Sequence, residues 1–311
     1  MNNSSECNEW WCEKTGTLIT LEVVVILICV VGCMGNLLTL LTIITSNLRH
    51  SVNCILVGNL SVAGFIYCLI ILPVQAVIYH RHALEVPSGL CTFMGFVRFT
   101  LTGVIMVTLA DIALYRLLKV VYYHKYMCMS KNRHFFSTIF LCWLIPMIFT
   151  FPPAVEWWGA YHYHASLLTC TLDDKKDRSN KIAVVTAGFI FPCAFIICCY
   201  SLIGYTVFKS FRRYRNSSRS KSFRISAIML CIFILFFIGS FPYVIYTAVD
   251  KDYSYPIHHI WTTMFAWLMY CINPIVYTIM DTNFRSAYKK LLCCRQFTLL
   301  RRITVDQTSS V

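Results

Sequence analysis

The 311-residue chain is 58% hydrophobic, only 13% charged and has a mean hydropathy of +0.63, whereas about a quarter of the residues of a soluble domain are charged. This composition excludes an ordinary water-soluble domain and places most of the chain in lipid. The net charge of +13 falls on the short connecting segments, so it describes a basic membrane face and not a nucleic-acid surface.

A membrane-crossing helix needs roughly 20 mostly apolar residues, and seven such stretches follow one another. They run from Leu18 to Thr45, Cys54 to Tyr79, Leu90 to Val121, Phe135 to Trp157, Lys181 to Phe208, Ile225 to Val249 and Pro256 to Met280. The expected fold is an all-α membrane protein, a seven-transmembrane helix bundle over residues 18–280, preceded by an extracellular segment 1–17. After Asp281, apolar Phe284, Ala287, Tyr288, Leu291 and Leu292 alternate with Arg285, Lys289 and Lys290. That pattern predicts a short amphipathic eighth helix over 281–294, lying along the membrane, before a tail of 295–311. The first run has no basic flank and is too long for a cleaved signal, so it reads as a retained helix. No internal repeat is visible, which argues against a transporter of duplicated halves.

Lys and Arg mark the cytoplasmic side of short loops. With the amino terminus outside, that side holds Arg49, Arg116, Lys119, Lys125, Lys131, Arg133, the run from Lys209 to Arg224, and the basic residues beyond Arg285. Far fewer basic residues remain for the other side. Asn2 and Asn3 each begin an N-x-Ser sequon on the outer terminus and are candidate glycosylation sites; Asn59 and Asn216 also match but sit in a span and a cytoplasmic loop. Most of the 17 cysteines fall in spans, where a thiol behaves as a small hydrophobe. Cys7, Cys12, Cys91 and Cys170 face the oxidising side; four cysteines permit three pairings, of which Cys91 with Cys170 is preferred.

From Cys91 to Arg116 the third span is about 37 Å long at 1.5 Å per residue, enough to join the two membrane faces. Gly35-Asn36 in span one, Asn59-Leu60 in span two, Cys91 and Arg116 in span three, Trp143 in span four and Pro192 with Tyr200 in span five stand in order. Phe236 and Pro242 follow in span six, and Asn273-Pro274-Ile275-Val276-Tyr277 in span seven. In these markers and their spacing the sequence resembles the rhodopsin-like family of G-protein-coupled receptors. The stretch from Asp250 through His259 and Asn273-Pro274 to Tyr288 is most similar to the orphan Moody and trapped-in-endoderm group, with melatonin receptors as relatives.

The resemblance implies a receptor that converts binding of an extracellular ligand into activation of a heterotrimeric G protein at the plasma membrane, without a cofactor or a metal. Pro242 and Pro274 would kink their helices into joints. Arg116, Tyr200, Tyr277, Asn273 and Phe236 would form the switch that rearranges as the G protein docks. Cys293-Cys294 resembles the family's palmitoylation site, and the basic run Lys209–Arg224 would meet lipid headgroups or the G protein. Arrestin is a further implied partner, and Ser309-Ser310-Val311 fits a PDZ-domain ligand.

Several positions depart from the family pattern. The acidic-Arg-Tyr triplet reads Tyr115-Arg116-Leu117, and no acid stands near Ser222, Phe223 and Arg224, so elevated basal signalling is expected. The buried aspartate of span two falls at Gly64, with Ile105 and Met269 beside it, so no sodium effect on agonist affinity is expected. Asp111, costly in lipid unless paired, is expected to bond Asn59 or Trp143. Span six reads Gly239-Ser240-Phe241-Pro242 without the usual tryptophan, leaving Phe236 or Phe241 to replace it.

An arginine inside a span is a candidate functional group by default, and Arg98 lies two turns below Cys91. It would pair with a ligand carboxylate or phosphate, for which its planar donors are suited, or with Glu22 or Glu156, or snorkel to the outer surface. Phe99, Thr102, Phe189, Phe241, Tyr243, Tyr246, Trp261 and Trp267 are expected to line the pocket, which suits a small anionic or lipid-like ligand; a small peptide is the other option. The loop from Trp158 to Asn180 would cap it. No catalytic motif is present, so an enzyme is not expected, and span seven has no lysine for retinal. The rival reading is a non-signalling decoy or scaffolding receptor.

Overall fold

The computed structural model describes residues 15–81, 86–173, 178–211, 217–249, 254–280 and 282–292. Asn2, Asn3, Cys7, Cys12, Asp281, Cys293, Cys294 and the terminal Ser309-Ser310-Val311 lie outside them. Seven long helices appear where the apolar runs stand. In lipid every backbone N–H and C=O must be satisfied within its own segment, which leaves a helix as the form available to such runs.

Span one is Thr15–Thr45. Span two runs as Val52–Ile66, a wider π turn at Tyr67–Ile71 and a last piece Leu72–His80. Span three is Ser88–Val121, and span four Asn132–Ala154. Span five begins as Arg178–Val185, widens into a π turn at Thr186–Ile190 and continues as Phe191–Phe211. Spans six and seven are Ser217–Val249 and Pro256–Met280. Each π turn stands just before a proline, Pro73 in one case and Pro192 in the other. The ring cannot donate a hydrogen bond and crowds the carbonyl four residues earlier, and a wider turn relieves both problems.

Two boundaries correct the sequence-based expectation. Span four ends at Ala154 and not at Trp157, because Pro152 and Pro153 fill its last turn. The two ends of the basic run Lys209–Arg224, expected as a loop, continue spans five and six as helix, to Phe211 and again from Ser217.

Among the described residues six helices are long and apolar enough to cross a membrane; Ser88–Val121 is not among them. It is 34 residues long and carries Arg98, Asp111, Arg116 and Lys119. Its position explains why these are tolerated: span three packs against spans two, four, five and six. Arg98 and Arg116, 7% and 1% exposed, therefore face protein and not lipid.

After span four the chain forms a hairpin of β1 (Tyr161–His164) and β2 (Thr169–Leu172), antiparallel with Tyr163 opposite Cys170. The hairpin packs on span three, and its connecting turn Ala165–Leu167 reaches span seven. Cys170 is disulfide-bonded to Cys91 at the start of span three, with Cα atoms 5.4 Å apart. Gly95, one turn further on, has no side chain to obstruct Tyr161, whose ring occupies the space a Cβ would need. At the opposite end an amphipathic helix, Thr282–Leu292, buries Phe284 and Tyr288 and exposes Arg285, Lys289 and Lys290. The Tyr288 hydroxyl shares a 2.8 Å hydrogen bond with Thr39 of span one, which fixes this helix to the bundle.

Candidate functional site

At the disulfide end the helices leave a cavity of about 740 Å³ of empty space, open solvent at its mouth included. Spans two, three, five, six and seven contribute to its wall. Arg98 supplies the charge. Its Nη1 donates to Thr169 Oγ1 at 2.9 Å, and its guanidinium carbon lies 5.5 to 5.8 Å from the ring centroids of Phe99, Tyr243 and Trp267. Aromatic faces attract a cation, yet they supply no countercharge. No carboxylate pairs with Arg98 among the described residues: Glu22, one expected alternative, is held by His80 at 3.1 Å, and Glu156 is exposed.

The lid is latched through the same group. Thr169 Oγ1 donates to Gln75 Oε1 (3.2 Å), while the Gln75 amide donates to the Leu168 carbonyl (2.7 Å). Leu168 needs this support, since its φ of +49° lies in the left-handed region that costs a residue with a Cβ roughly 1–2 kcal/mol. The floor of the cavity is aromatic. Tyr67 and Tyr270 stack with centroids 4.0 Å apart, and Tyr270 shares a 2.9 Å hydrogen bond with Thr102.

Of the residues expected to line the pocket, the structure gathers Arg98, Phe99, Thr102, Phe189, Tyr243 and Trp267 around the cavity. Phe241, Tyr246 and Trp261 are not in its wall. Phe241 is 43% exposed and stacks on Phe237, Tyr246 stacks on His258, and Trp261 faces outward. Tyr67, Tyr270, Ser240 and Thr263 line the cavity and were missed. Polar groups inside otherwise apolar spans were the available signal.

Arg116 stands at the other end of span three, within electrostatic reach of Tyr200, Lys119 and Tyr126. Tyr115, which replaces the family's acid, turns away from it: its hydroxyl donates to the Met129 carbonyl (3.2 Å) and approaches Thr138 (3.4 Å). Tyr277 is buried and stacks on Phe284 at 5.4 Å. Phe236 is buried in the core and Asn273 is nearly so. Pro242 and Pro274 both lie inside helices, and Pro274 packs against Gly35 of span one.

Two polar groups differ from expectation. Trp143 Nε1 donates to Asn59 Oδ1 (3.0 Å) and the Asn59 amide donates to Thr108 (2.8 Å), so neither bonds Asp111. The partner of Asp111 is Cys142, whose thiol donates to Oδ2 at 2.9 Å; it is the residue of span four adjacent to Trp143. At Gly64, the Asn36 side chain fills the space a longer residue would take, its atoms lying 3.1 Å from where a Cβ would be. The Asn36 amide donates to the carbonyls of Gly32 (2.8 Å) and Tyr270 (3.0 Å).

Residues 35–277 match the model of the 7 transmembrane receptor (rhodopsin family). The chain belongs to that family. The receptor is 25% identical to the G-protein coupled receptor moody of Drosophila pseudoobscura pseudoobscura over 88% of its own length and 52% of that protein. It is 26% identical to Protein trapped in endoderm-1 of Drosophila melanogaster over 86% and 76%. Against the melatonin receptor type 1A of Mus musculus the identity is 27% over 88% and 80%. The receptor thus spans about half the length of the moody protein. The crystal structure of squid rhodopsin shares its fold, with a TM-score of 0.78 at 21% identity over 90% of this chain and 88% of that one. Receptors of this family are not enzymes, and the disulfide between Cys91 and Cys170 is present in this one.

Proposed function

We propose that this receptor sits in the plasma membrane with its disulfide end outside, binds an extracellular anionic ligand at Arg98 and activates a heterotrimeric G protein at the Arg116 end. One observation carries the reading: span three places a buried arginine, without a countercharge among the described residues, in a cavity at one end and a second buried arginine among Tyr200 and Tyr126 at the other. A cation held by a hydroxyl and three aromatic faces is charge-complementary to a carboxylate or phosphate, which would contribute charge-assisted hydrogen bonds. Inside-positive charge bias supports the orientation.

The hairpin is bonded to Arg98 through Thr169 and tied to span three by the disulfide, which favours a small ligand over a peptide. Tyr200 and Tyr277 favour a signalling protein over a decoy. Arrestin and a PDZ-domain protein at Ser309-Ser310-Val311 are proposed as further partners, with glycans on Asn2 and Asn3 and palmitate on Cys293 and Cys294. The test is guanine-nucleotide exchange on purified G-protein subtypes, using membranes that contain the receptor. Exchange above that of empty membranes is expected with at least one subtype, falling by tenfold or more in Arg116→Ala. Equal exchange in wild type, Arg116→Ala and empty membranes would establish the decoy.

A further inference from the structure

The walls of the cavity are not equally closed. On one side the hairpin is joined to span three by the disulfide, to span two through Gln75 and Leu168, and to span seven by the turn Ala165–Leu167. Arg98 holds it from below through Thr169. On the opposite side span six packs along span seven and touches span three, but among the described residues spans five and six share no extended packing. Phe189 of span five stacks on Phe237 of span six at 6.1 Å, and Phe237 in turn on Phe241 of its own span at 4.9 Å.

The lining residues on this side are Val184, Val185, Gly188 and Phe189 of span five with Tyr243 and Val244 of span six, all partly exposed. A Cβ added to Gly188 would meet no atom within 4 Å. Gly188 lies ten residues into span five from Arg178, about 15 Å along the helix axis, which puts the gap at the depth of the acyl chains. Its rim is apolar and aromatic, and Phe241 is exposed beside it.

Building on the anion reading of Arg98, we propose that the ligand is a bilayer-borne amphiphile with one acidic head and an apolar chain, admitted sideways between spans five and six. The chain passes between Gly188 and Val244 and comes to rest inside the cavity against Phe99 and Ala266, where the head replaces Thr169 on the Arg98 guanidinium. An acid dissolved in the membrane reaches Arg98 by this route without crossing the latched hairpin. At Arg98 the acidic head gains a countercharge and charge-assisted hydrogen bonds that stabilise it.

The test places the receptor in phosphatidylcholine nanodiscs containing a palmitic acid analogue with a tail diazirine. Photolabelled residues are then mapped by mass spectrometry. Label is expected on Phe99 and Ala266, which face the cavity, rising with the mole fraction of probe in the bilayer. Oleic acid competes it away and methyl oleate does not; stronger competition by lysophosphatidic acid would assign the head as a phosphate. Gly188→Phe, and separately Val244→Phe, cut cavity labelling at short times by fivefold or more, and both return to within twofold of wild type after overnight incubation. Gly188→Ala stays within twofold throughout.

Cavity labelling that is absent from the wild type, or insensitive to esterification, would overturn the ligand class. Unchanged early labelling in both Phe variants, or labelling that stays low overnight in both, would overturn the portal. Nucleotide exchange is measured in the same nanodiscs. Exchange that depends on Arg116 while labelling fails leaves the receptor reading intact and removes only the lipid route.

Discussion

Span three carries two buried arginines, 18 residues or about 27 Å apart, and the protein surrounds them differently. Arg98 is ordered by a hydroxyl and three rings that fix its position without neutralising it. Around Arg116 the nearest sequence neighbour that could have restrained it, residue 115, is a tyrosine engaged elsewhere. A membrane protein carries a charged group in its interior at considerable cost, and the two surroundings fit the two uses proposed above: at Arg98 a cation set for an incoming anion, and at Arg116 a switch without an adjoining acid.

Breaking the first site should give the larger effect. Arg98→Gln removes charge-assisted hydrogen bonds of about 1.5–3 kcal/mol each and should weaken binding of an acidic ligand by tenfold or more, measured by competition against the diazirine probe. Unaltered affinity would mean that Arg98 serves only the lid. At the other end, Tyr115→Asp restores an acid beside Arg116 and also removes the bond to Met129. Ligand-free nucleotide exchange should fall several-fold; a rise would show that the tether to Met129, and not a missing acid, sets basal activity.

Smaller changes sharpen the contrast. Tyr288→Phe deletes the hydrogen bond to Thr39 and should lower stability by about 1 kcal/mol, read as a modest drop in the unfolding midpoint with the cavity's probe binding preserved. Replacing sodium with choline should change agonist affinity less than twofold. Gly64, Ile105 and Met269 supply no side-chain oxygen, and Asn36 already occupies the room at Gly64. A tenfold shift would reveal a cation site built from other residues.

The spans were legible because twenty apolar residues in lipid leave the backbone one way to satisfy itself. Span three was legible through Cys91 and Arg116, although its charges lower its apolarity. The pocket was legible where a chemically distinctive residue stood out, as Arg98 did. It was less so where helical phase decides: Ser240 faces the cavity while Phe241, rotated about 100° from it, faces outward. The latch was hidden for another reason. Gln75 and Leu168 are 93 residues apart, and nothing local to either announces that a left-handed leucine will be supported by an amide from another span. The assignment of Asp111 failed by one residue, since Cys142 and its neighbour Trp143 point to different partners.

The π turns at Tyr67–Ile71 and Thr186–Ile190 have a consequence for sequence length. Each inserts one extra residue into a helical turn, so everything beyond it is rotated by about 100° relative to an unbroken helix. Gln75 lies beyond the first, and Gly188 and Phe189 lie inside the second. Deleting a single lipid-facing residue such as Leu69 would leave composition and hydropathy almost untouched, yet it would swing Gln75 off the lid. Receptors that differ from this one by one amino acid in span two would then present a differently shaped chamber built from nearly the same letters.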